Sequence, residues 1–587
     1  MIKKLFKGMI ISQILSQLAV TLCMLIDSIM IGQFLGVDAM AAYGFANPIL
    51  LVFTAIGGLL STGTQVVCST YLGRGDSESI DKAYSSAITG ATIISVVGIA
   101  LIIILITPLV KLLGADPASP TFEMTKDYLI GFAIGIPTFM IALIFIPFLQ
   151  MAGKQNILVI AILGMTVADI VFDFANAKLG LFGGGIFGMG LASSLSYVVA
   201  FIVALFYFVR KDSAFTFKLS LANVKSFTEV LKGGMPTTIN QVSSVILILL
   251  FNNILATIGT RAVAAHSVIS TVANILYSFG TGIGAVTLTL GGIFYGEEDK
   301  KSIFESVKLG LKYSIIIDAV LVAAVFVGAS GIVNMFLASD AESLAAYDLA
   351  VKGLRIFVIG ILPCCLTAVL KAYCQGTGKM LYANIVSILQ NLVYAGVIAL
   401  ILVNFTQYAV WIALMTGEFL SLATYAVIAS IRAKKPTLAI SALTFIDDSF
   451  GTDESQLFEM SIKSVDDAVA ASSQASQFCV SNGMKKTQAS MVGLCIEELA
   501  CNTLKYGFEK NAKGQPKNNI ELRLIYKGDE LMLRLRDDCV NFDPIKYMEL
   551  HQDDDPIAHI GIRTTFKIVK DAKYINSLGL NNLTLTM

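Results

Sequence analysis

The sequence predicts a polytopic α-helical membrane protein with twelve spans in two six-helix lobes, followed by a C-terminal cytosolic α+β sandwich domain. The 587 residues have a mean hydropathy of +0.75 and are 55% hydrophobic but only 14% charged, which is too apolar for a soluble protein of this size. Charge is concentrated from Asp447 onward, where 21 of the 42 acidic and 16 of the 42 basic residues lie. A polar domain therefore follows a membrane domain, and an internal repeat divides the membrane domain into two.

The repeat joins a segment near the start of the chain to one 223 residues later. Gly36 to Asp76 aligns without a gap with Gly259 to Asp299, with eight identities in 41 positions. A second pair of segments, FLQMAGK (Phe148 to Lys154) and YCQGTGK (Tyr373 to Lys379), is separated by 225 residues. Many secondary transporters build a substrate cavity between two repeated bundles, so duplication of a whole half predicts that architecture.

The spans follow from the length of apolar sequence, because about 20 apolar residues are needed to cross a bilayer. The twelve predicted spans are Met9 to Gly32, Pro48 to Leu72, Ala87 to Val110, Leu129 to Met151, Ile157 to Asn176, Gly184 to Val209, Thr237 to Ile258, Ser267 to Ile293, Tyr313 to Leu337, Leu354 to Tyr373, Leu381 to Val403, and Ala409 to Ile431. They predict an N-lobe at 1–212 and a C-lobe at 213–435, followed by a linker at 436–454 and a tail domain at 455–587.

Basic residues predict the orientation in the cytoplasmic (inner) membrane. With the N-terminus in the cytoplasm, twenty lysines and arginines of the membrane part, Lys371 among them, lie toward the cytoplasm and six toward the outside. This positive-inside bias and an even number of spans predict that both termini are cytoplasmic. The net charge is zero with no dense basic run, so no nucleic-acid partner is expected. The nine scattered cysteines are expected to be reduced and buried.

A few carboxylates lie inside the predicted spans. Asp27 is in the first span, and Asp169 and Asp173 are four residues apart on one face of the fifth, with Asn176 close by. A charge in the bilayer costs at least a few kcal/mol, so such residues are candidates for an ion site. The alternative is a protonated aspartate that ties two helices together by hydrogen bonds, but three acids in one half favour the ion site. Asp318 and Glu418 are weaker candidates of the same kind, and Asp318 is close enough to the cytoplasmic end of its span to reach the interface.

The membrane part resembles the multidrug and toxic compound extrusion (MATE) transporters. The motifs that carry the resemblance are IDSIMIGQFLGVDAMAA, LGRGD, LQMAGK, DIVFDFANAKLGLFGGGIFGMGLASSLS, IGTRAVAAHS and QGTGK. The resemblance implies export of organic, often cationic, small molecules in exchange for H⁺ or Na⁺ through a cavity open to one side at a time.

The same resemblance implies site residues. Asp27 matches the first-span aspartate and Asp173 the fifth-span aspartate of members that couple through the N-lobe, while Asp169 stands where Asn is usual and Ser193 where Thr is frequent. The extra carboxyl favours proton coupling, because like charges resist joint ionisation, although Na⁺ remains an alternative. The seventh and tenth spans contain no acid, which predicts that coupling belongs to the N-lobe.

The tail has the pattern of a sheet covered on one face by helices. The predicted elements are a strand at Leu457 to Ile462, helices at Val465 to Val480 and Lys486 to Gly507, a hairpin of Asn519 to Tyr526 and Leu531 to Asp537 joined by the turn KGDE, a helix at Ile562 to Asp571, and a strand at Asn582 to Met587. On the second helix, Glu498 and Asn502 share one face, which suits a carboxylate base beside an amide ligand for Mg²⁺, whereas an ordinary mixed-charge surface helix is the alternative.

In context, IEELACNTLKYG resembles the N-box of the GHKL (Bergerat) ATP-binding fold, and of its anti-sigma-factor serine-kinase branch in particular. RDDCVNFDP then resembles the adenine box, with Asp537 toward the adenine, and HIGIRTTFKIVKDAKY the last glycine box with Gly561. The resemblance implies ATP with Mg²⁺ as cofactor, Glu498 as catalytic base, Asn502 as the Mg²⁺ ligand, and Lys505, Asp537 and Gly561 as further binding residues.

The tail departs from its family at three places, which makes nucleotide binding the firmer expectation and catalysis the weaker one. Cys539 and Asn541 replace usual box residues, and Gly561 is the one glycine kept of the last cluster. The leading hypothesis is an ion-coupled efflux antiporter with a nucleotide-binding regulatory tail. The alternative is a membrane-tethered signalling protein whose membrane half senses a ligand and whose tail phosphorylates or sequesters a cytosolic protein partner.

Overall fold

A computed structural model of the chain describes residues 1–209, 215–336, 341–509, 517–527, 530–551 and 560–587. Four predicted features fall partly or wholly outside these residues: the start of the polar link at Arg210, the end of the ninth span at Leu337, the turn at Gly528 and the His559 end of the last glycine box.

Long helices make up the first 435 residues. Their bounds are α1 Ile2–Leu35, α2 Val37–Arg74, α3 Ser77–Leu112, α4 Pro120–Ala133, α5 Ile136–Met151, α6 Gln155–Leu179, α7 Ile186–Phe208, α8 Val224–Ile258, α9 Thr260–Gly296, α10 Lys300–Asn334, α11 Ala341–Ile359, α12 Ile361–Gly376, α13 Met380–Ile388, α14 Ala395–Leu402 and α15 Ala409–Arg432. A π-helical turn, Leu389–Tyr394, joins α13 to α14.

Within the described ranges, ten helices are long and apolar enough to cross a membrane, or up to twelve if each of two bent pairs is one span. The bent pairs are α4 with α5, at 50°, and α11 with α12, at 41°. At the first bend, Pro137 brings no N–H to the opening turn of α5. The Gly135 N–H is shared between the Phe132 carbonyl at 3.1 Å and the Ser194 hydroxyl at 3.0 Å. The chain is therefore a helical membrane protein, and the count of twelve spans stays a prediction.

The two copies of the repeat adopt the same local structure. Gly36 and Gly259 both have positive φ, 86° and 126°, at the turns between α1 and α2 and between α8 and α9. Asp76 caps α3 by accepting the Ser79 N–H at 3.0 Å, and Asp299 caps α10 by accepting the Ser302 N–H at 3.0 Å. The sequence repeat is thus a repeat of two helices and the turns at their ends.

The first half (residues 1–209) and second half (215–435) touch closely at the end of the bundle that faces the tail. A Cβ on Gly73 of α2 would lie 2.0 Å from the Ile293 carbonyl of α9, and one on Gly296 would lie 2.2 Å from the Thr70 carbonyl. Only glycine allows backbones to approach this closely. The ends of α2 and α9 are therefore in direct backbone contact on the tail side of the bundle.

The tail is a five-stranded antiparallel sheet with order β1-β2-β3-β5-β4, and helices α17 and α18 cover one face. Its elements are β1 Leu457–Ile462, α17 Val465–Ser481, α18 Lys486–Tyr506, β2 Ile520–Lys527, β3 Glu530–Asp537, α19 Pro544–Leu550, α20 Ile560–Ile568, β4 Asp571–Ser577 and β5 Leu580–Thr586. Neither α19 nor β4 was predicted from the sequence. The last helix was predicted to extend to Asp571, where β4 begins instead.

The predicted linker is folded against the second half. It contains the short helix α16, Ile440–Leu443, and the Phe445 ring stacks on Tyr382 with centroids 4.4 Å apart. The Tyr425 hydroxyl donates to the Leu443 carbonyl, and the Tyr373 hydroxyl to the Thr444 carbonyl, both at 2.8 Å. The tail is therefore attached to the second half by packed side chains as well as by the chain itself.

Candidate functional site

The carboxylates predicted in the first half meet in its interior. Asp169 and Asp173 lie on the buried face of α6, and Asp27 of α1 lies within hydrogen-bonding reach of Asp169. The Ser193 hydroxyl of α7 points to Asp27 Oδ2 at 3.4 Å. Three helices thus bring together four of the five residues predicted for ion coupling.

These carboxylates are not neutralised by their surroundings. Both oxygens of Asp173, together with Oδ1 of Asp27 and Oδ2 of Asp169, are buried without a hydrogen-bond partner in the described chain. A buried carboxylate without a partner is costly, so a proton or cation is required to compensate it. Carboxylates in this arrangement are chemically able to take up a proton or a cation.

Asn176, the fifth predicted residue, has a different environment. Its fully buried amide donates to the Gly185 carbonyl at 2.9 Å and accepts the Gly184 N–H at 3.1 Å, which holds the turn between α6 and α7. Gly188 leaves room for it, since a Cβ there would lie 1.9 Å from Asn176 Oδ1. Asn176 fixes the end of the helix that carries the carboxylates, and its predicted role in coupling stays a prediction.

Sequence reasoning missed the tyrosines around the carboxylates. Tyr43, Tyr128 and Tyr197 all lie close enough to Asp27 to interact with it electrostatically. Tyr43 packs edge-on against Tyr128, with centroids 5.3 Å apart, and the buried Tyr128 hydroxyl has no hydrogen-bond partner among the described residues. Each tyrosine is remote from Asp27 in sequence, so no spacing rule could find it.

A second polar network, in the second half, was also missed. Lys371 of α12, which the sequence analysis placed with the basic residues toward the cytoplasm, bonds the Asn240 amide oxygen of α8 at 3.0 Å and that of Gln390 at 2.6 Å. Gln390 in turn donates to Glu418 of α15 at 2.5 Å. The second half has no counterpart of Asp27 or Asp173, but it contains a half-buried lysine and a buried acid bridged by an amide.

In the tail, three residues predicted to bind nucleotide come together. The Asn502 amide nitrogen lies 3.3 Å from Glu498 Oε1 one turn away on α18. Gly561, in the first turn of α20, lies against the same carboxylate, since a Cβ there would come within 1.8 Å of Glu498 Oε1. The absence of a side chain at Gly561 thus lets α20 pack directly on the Glu498 carboxylate.

Asp537 ends β3 and is held from both sides. Its Oδ1 accepts the Cys539 N–H at 3.0 Å and the Asn581 amide at 2.8 Å, and burial raises the pKa of Asp537 despite these bonds. A Cβ on Gly507, at the end of α18, would lie 3.0 Å from Cys539, so the two boxes are neighbours. Lys505 is exposed, with its ammonium 4.9 Å from the Tyr506 ring centre.

The uncovered face of the tail's sheet packs against the membrane part. Arg534 and Arg536, which alternate along β3, both form ion pairs with Glu297 at the end of α9, and the distance from Arg534 is 3.3 Å. Arg523 of β2 forms an ion pair with Asp299 at 2.5 Å. Burial lowers the pKa of Arg536, but the charge and hydrogen bond of Glu297, together with the charges of Asp299 and Glu521, outweigh burial and raise the pKa. The tail is thus docked by buried ion pairs on the second copy of the repeat.

The tail also reaches the first half. The Leu578 N–H bonds the Met151 carbonyl at 2.5 Å, and a Cβ on Gly153 would lie 2.1 Å from the Gly579 nitrogen, so the β4–β5 turn rests on the LQMAGK turn. Asp538, next to Asp537, pairs with Lys4 of α1 at 2.6 Å. Both halves are therefore in contact with one tail.

Comparisons with known proteins agree with the membrane fold. A sequence model of the MatE family matches residues 13–175 and 236–401. The probable multidrug resistance protein NorM of Photorhabdus laumondii is 23% identical over 344 residues, which are 57% of this chain and 74% of that protein. The multidrug export protein MepA of Staphylococcus saprophyticus is 27% identical over 367 residues, or 61% and 78% of the two chains. The crystal structure of MATE in complex with MaL6 has a TM-score of 0.69 at 21% identity and covers 76% of this chain and 98% of that one.

Long apolar helices and this set of relatives define a polytopic membrane transporter. The chain belongs to the MatE family, which confirms the resemblance predicted for the membrane part. Its relatives include multidrug efflux transporters. The family match ends at residue 401, and the resemblance of the tail to the GHKL fold stays a prediction.

Proposed function

We propose that the protein is an ion-coupled efflux antiporter of the cytoplasmic membrane that exports organic, often cationic, small molecules, and that its tail is a nucleotide-binding regulator. The observation that carries the antiporter is the group of Asp27, Asp169 and Asp173, buried in the first half with unpartnered oxygens. The multidrug efflux activity named for its relatives supports the choice of substrate class.

Coupling follows from the electrostatics of this group. Two carboxyls within reach of each other, such as Asp27 and Asp169, hold one proton or cation between them more readily than two negative charges. Binding of the ion removes the cost of a buried charge and favours the conformation in which the site is enclosed; its release restores that cost. Ser193 orients Asp27, and Asp173 supplies a further acceptor. H⁺ is the preferred ion, and Na⁺ is the alternative.

Transport in proteoliposomes tests the proposal. Asp173→Asn should reduce substrate flux driven by a pH or Na⁺ gradient to background while the protein remains folded. Glu123→Gln is the matched control, since Glu123 is exposed and pairs with Lys126 at 2.8 Å. Flux with one ion gradient and not the other identifies the coupling ion. Unchanged gradient-driven flux in Asp173→Asn would reject the coupling role.

The tail-facing end of the bundle is assigned to the cytoplasm. The predicted excess of basic residues on one side supports the assignment, and Lys4 and Lys301, which pair with tail carboxylates, are among them. Both termini then lie in the cytoplasm, where ATP is present.

ATP with Mg²⁺ is the proposed tail ligand. Gly561 has no side chain, so the first turn of α20 packs directly on the Glu498 carboxylate, and a phosphate at the start of α20 would lie near the proposed base. Asp537 would accept from the adenine, and Asn502, whose nitrogen faces Glu498, would offer its oxygen to Mg²⁺. Lys505 would add positive charge at the exposed end of α18.

Regulation follows from where the tail is attached. Packed linker residues and the arginine pairs hold it to the second half, whereas the Leu578–Gly579 turn and Asp538 hold it to the first half. If the two halves rock relative to each other, a rigid tail cannot stay in contact with both. The contacts of the tail with the first half must then break whenever the ends of α2 and α9 separate. We call the contacts of the Leu578–Gly579 turn and Asp538 with the first half the latch. Because Asp538 adjoins Asp537, bound nucleotide would change the strength of this latch.

Cross-linking tests the latch. Lys4→Cys and Asp538→Cys together, joined by a short bifunctional thiol reagent, should stop gradient-driven flux, and a reductant that cleaves the cross-link should restore it. Each single cysteine variant treated in the same way should keep its flux. If the cross-linked protein transports at the uncross-linked rate, the tail does not act as a latch. If ATP fails to bind the full-length protein in calorimetry, nucleotide control is rejected and the antiporter is unaffected.

A further inference from the structure

The ammonium of Lys371 lies within the helices of the second half without a carboxylate partner. Its two bonds go to the neutral amide oxygens of Asn240 and Gln390, and no acid in the described chain lies within 4.0 Å of it. An ammonium has three donor hydrogens. Neutral amides do not supply a counter-charge, so a cation held here is suited to a negatively charged group brought by a ligand.

The site is built by local structure as well as by side-chain type. Gln390 and Asn391 are adjacent and belong to the π-helical turn Leu389–Tyr394. Gln390 accepts a hydrogen bond from Lys371, and Asn391 donates one to Asn240 Oδ1 at 2.7 Å. Two consecutive residues of the π-turn thus hold Lys371 and Asn240, which also bond each other. A π-turn inside a helix is uncommon and is frequently found at functional sites. The same Asn240 oxygen takes a bond from Lys371 and is thereby fixed.

Glu418 does not touch Lys371, and the two charges act on each other only across the Gln390 amide. Gln390, only 5% exposed, stands between them, with its oxygen toward Lys371 and its nitrogen toward Glu418. The amide is thus oriented by both charges and keeps them apart. The Lys371 residue is half-buried.

The network also lies near the boundary with the first half. Gln375, one turn from Lys371 on α12, bonds the Gly233 carbonyl and the Thr237 hydroxyl of α8, each at 3.0 Å. Gly58 of α2 faces Gln241, the neighbour of Asn240, at 3.4 Å from a Cβ built on the glycine. A ligand between the halves would therefore be near Lys371.

We infer that Lys371, held by Asn240 and Gln390, is a binding site for the carboxylate of a transported compound. This inference rests on the proposed efflux function and extends its substrates from cations to compounds that carry a carboxylate as well. Acids of the first half and the lysine of the second half then suit the two ends of a zwitterion.

The test uses two fluorescent dyes that differ in one group: rhodamine 110, which has a free carboxylate, and rhodamine 123, its methyl ester. Binding to the purified full-length protein is measured for wild type, Lys371→Met, Lys371→Arg and the control Lys379→Met, whose lysine lies over the Tyr295 ring outside the network. Lys371→Met should weaken the acid about thirtyfold, as for truncation of one partner of a buried charge pair. It should change binding of the ester less than threefold, a roughly unchanged affinity on the same scale. Lys371→Arg should keep the preference for the acid, and Lys379→Met should alter neither dye.

Equal weakening of both dyes by Lys371→Met would show a structural role and overturn the inference. Wild-type preference for the ester, or no effect of Lys371→Met, would overturn it as well. In each of these cases export of rhodamine 123 would leave the efflux proposal intact. Wild-type protein that neither binds nor exports either dye would count against both proposals.

Discussion

Arg523 and Asp299 join the tail to the end of the repeated segment through a buried ion pair. Arg523 Nη1 lies 2.5 Å from Asp299 Oδ2, and the two side chains are 10% and 7% exposed. The same Asp299 carboxylate caps α10 by accepting the N–H and the hydroxyl of Ser302 at 3.0 and 2.6 Å. Its counterpart Asp76 caps α3 but is paired with no arginine in the described chain. One copy of a duplicated turn has thus become the attachment point of the tail.

Removal of the arginine should loosen the tail. Arg523→Ala leaves Asp299 buried without its partner, which costs about 3 kcal/mol for a buried pair. We expect faster proteolysis between the membrane part and the tail, and a weaker effect of salt on that rate, because one ion pair fewer is left for salt to screen. Lys517→Ala is the control, because Lys517 pairs with Glu509 within the tail at an exposed position. Equal cleavage rates for Arg523→Ala and wild type would mean that the ion pair does not hold the tail.

The turn between α6 and α7 should be sensitive to a single methyl group. Gly188→Ala places a Cβ 1.9 Å from Asn176 Oδ1, so the amide must leave Gly184 and Gly185. Loss of these buried bonds should destabilise the protein by about 1–3 kcal/mol and lower its Tm in a fluorescence melt.

Two further variants identify the cause of that loss. In the double variant with Asn176→Ala, the Gly188→Ala change should have little additional effect, because the colliding amide is gone. Gly164→Ala on α6 should be neutral, since the nearest atom to its Cβ is Val199 Cγ1 at 3.7 Å. Additive effects of Asn176→Ala and Gly188→Ala would contradict this account.

Local features of this chain could be predicted from sequence. The spacing of Asp169 and Asp173 placed both on one face of α6, and the strand at Leu457 to Ile462 was predicted to the residue. Both depend on neighbours in the chain. That Asp27 meets Asp169 depends on how α1 packs on α6, which no local pattern encodes.

The missed elements have physical causes as well. β4, with sequence DAKYINS, has few strand-forming residues and lies at the edge of the sheet, where pairing with β5 decides its structure. The residues of the Lys371 network come from four separate segments, one of them a π-turn. In a hydropathy profile, the lysine is only a charged residue near the end of a predicted span. Position within a bundle, rather than sequence, gives that lysine its partners.

Nucleotide binding should depend on pH through Asp537. Burial raises the pKa of this carboxyl above its ordinary value, so it takes up a proton at a higher pH than an exposed aspartate would. Protonation turns one carboxyl oxygen into a hydroxyl and removes the negative charge, so the group becomes a weaker acceptor for the adenine amino group. ATP affinity should therefore be full at neutral pH and fall on acidification through this raised pKa, in calorimetry on the full-length protein.

The stability of the tail should respond to Asp537 in the opposite direction. A carboxyl whose folded pKa is raised favours the folded state at low pH, and this contribution is lost as the pH rises through the folded pKa. Asp537→Asn should remove both dependences while keeping the Asn581 contact at Oδ1. An ATP affinity that stays flat down to the ordinary aspartate range would mean that Asp537 does not contact the base.

Glu498 and Asn502 should have separable roles. Asn502→Ala removes the amide oxygen proposed for Mg²⁺, so Mg²⁺ should no longer strengthen ATP binding, and the gain seen in wild type should be lost. Glu498→Gln keeps an acceptor for the Asn502 amide, which lies 3.3 Å from the Glu498 carboxylate, so this variant should bind ATP as wild type does. A carboxamide cannot act as a base, so its phosphate release should fall to background. Glu497→Gln, one residue away, should retain both properties. Wild-type protein that binds ATP but releases no phosphate and labels no cytosolic protein would remove the catalytic role of Glu498. The tail would then act on the transporter by occupancy of its nucleotide site.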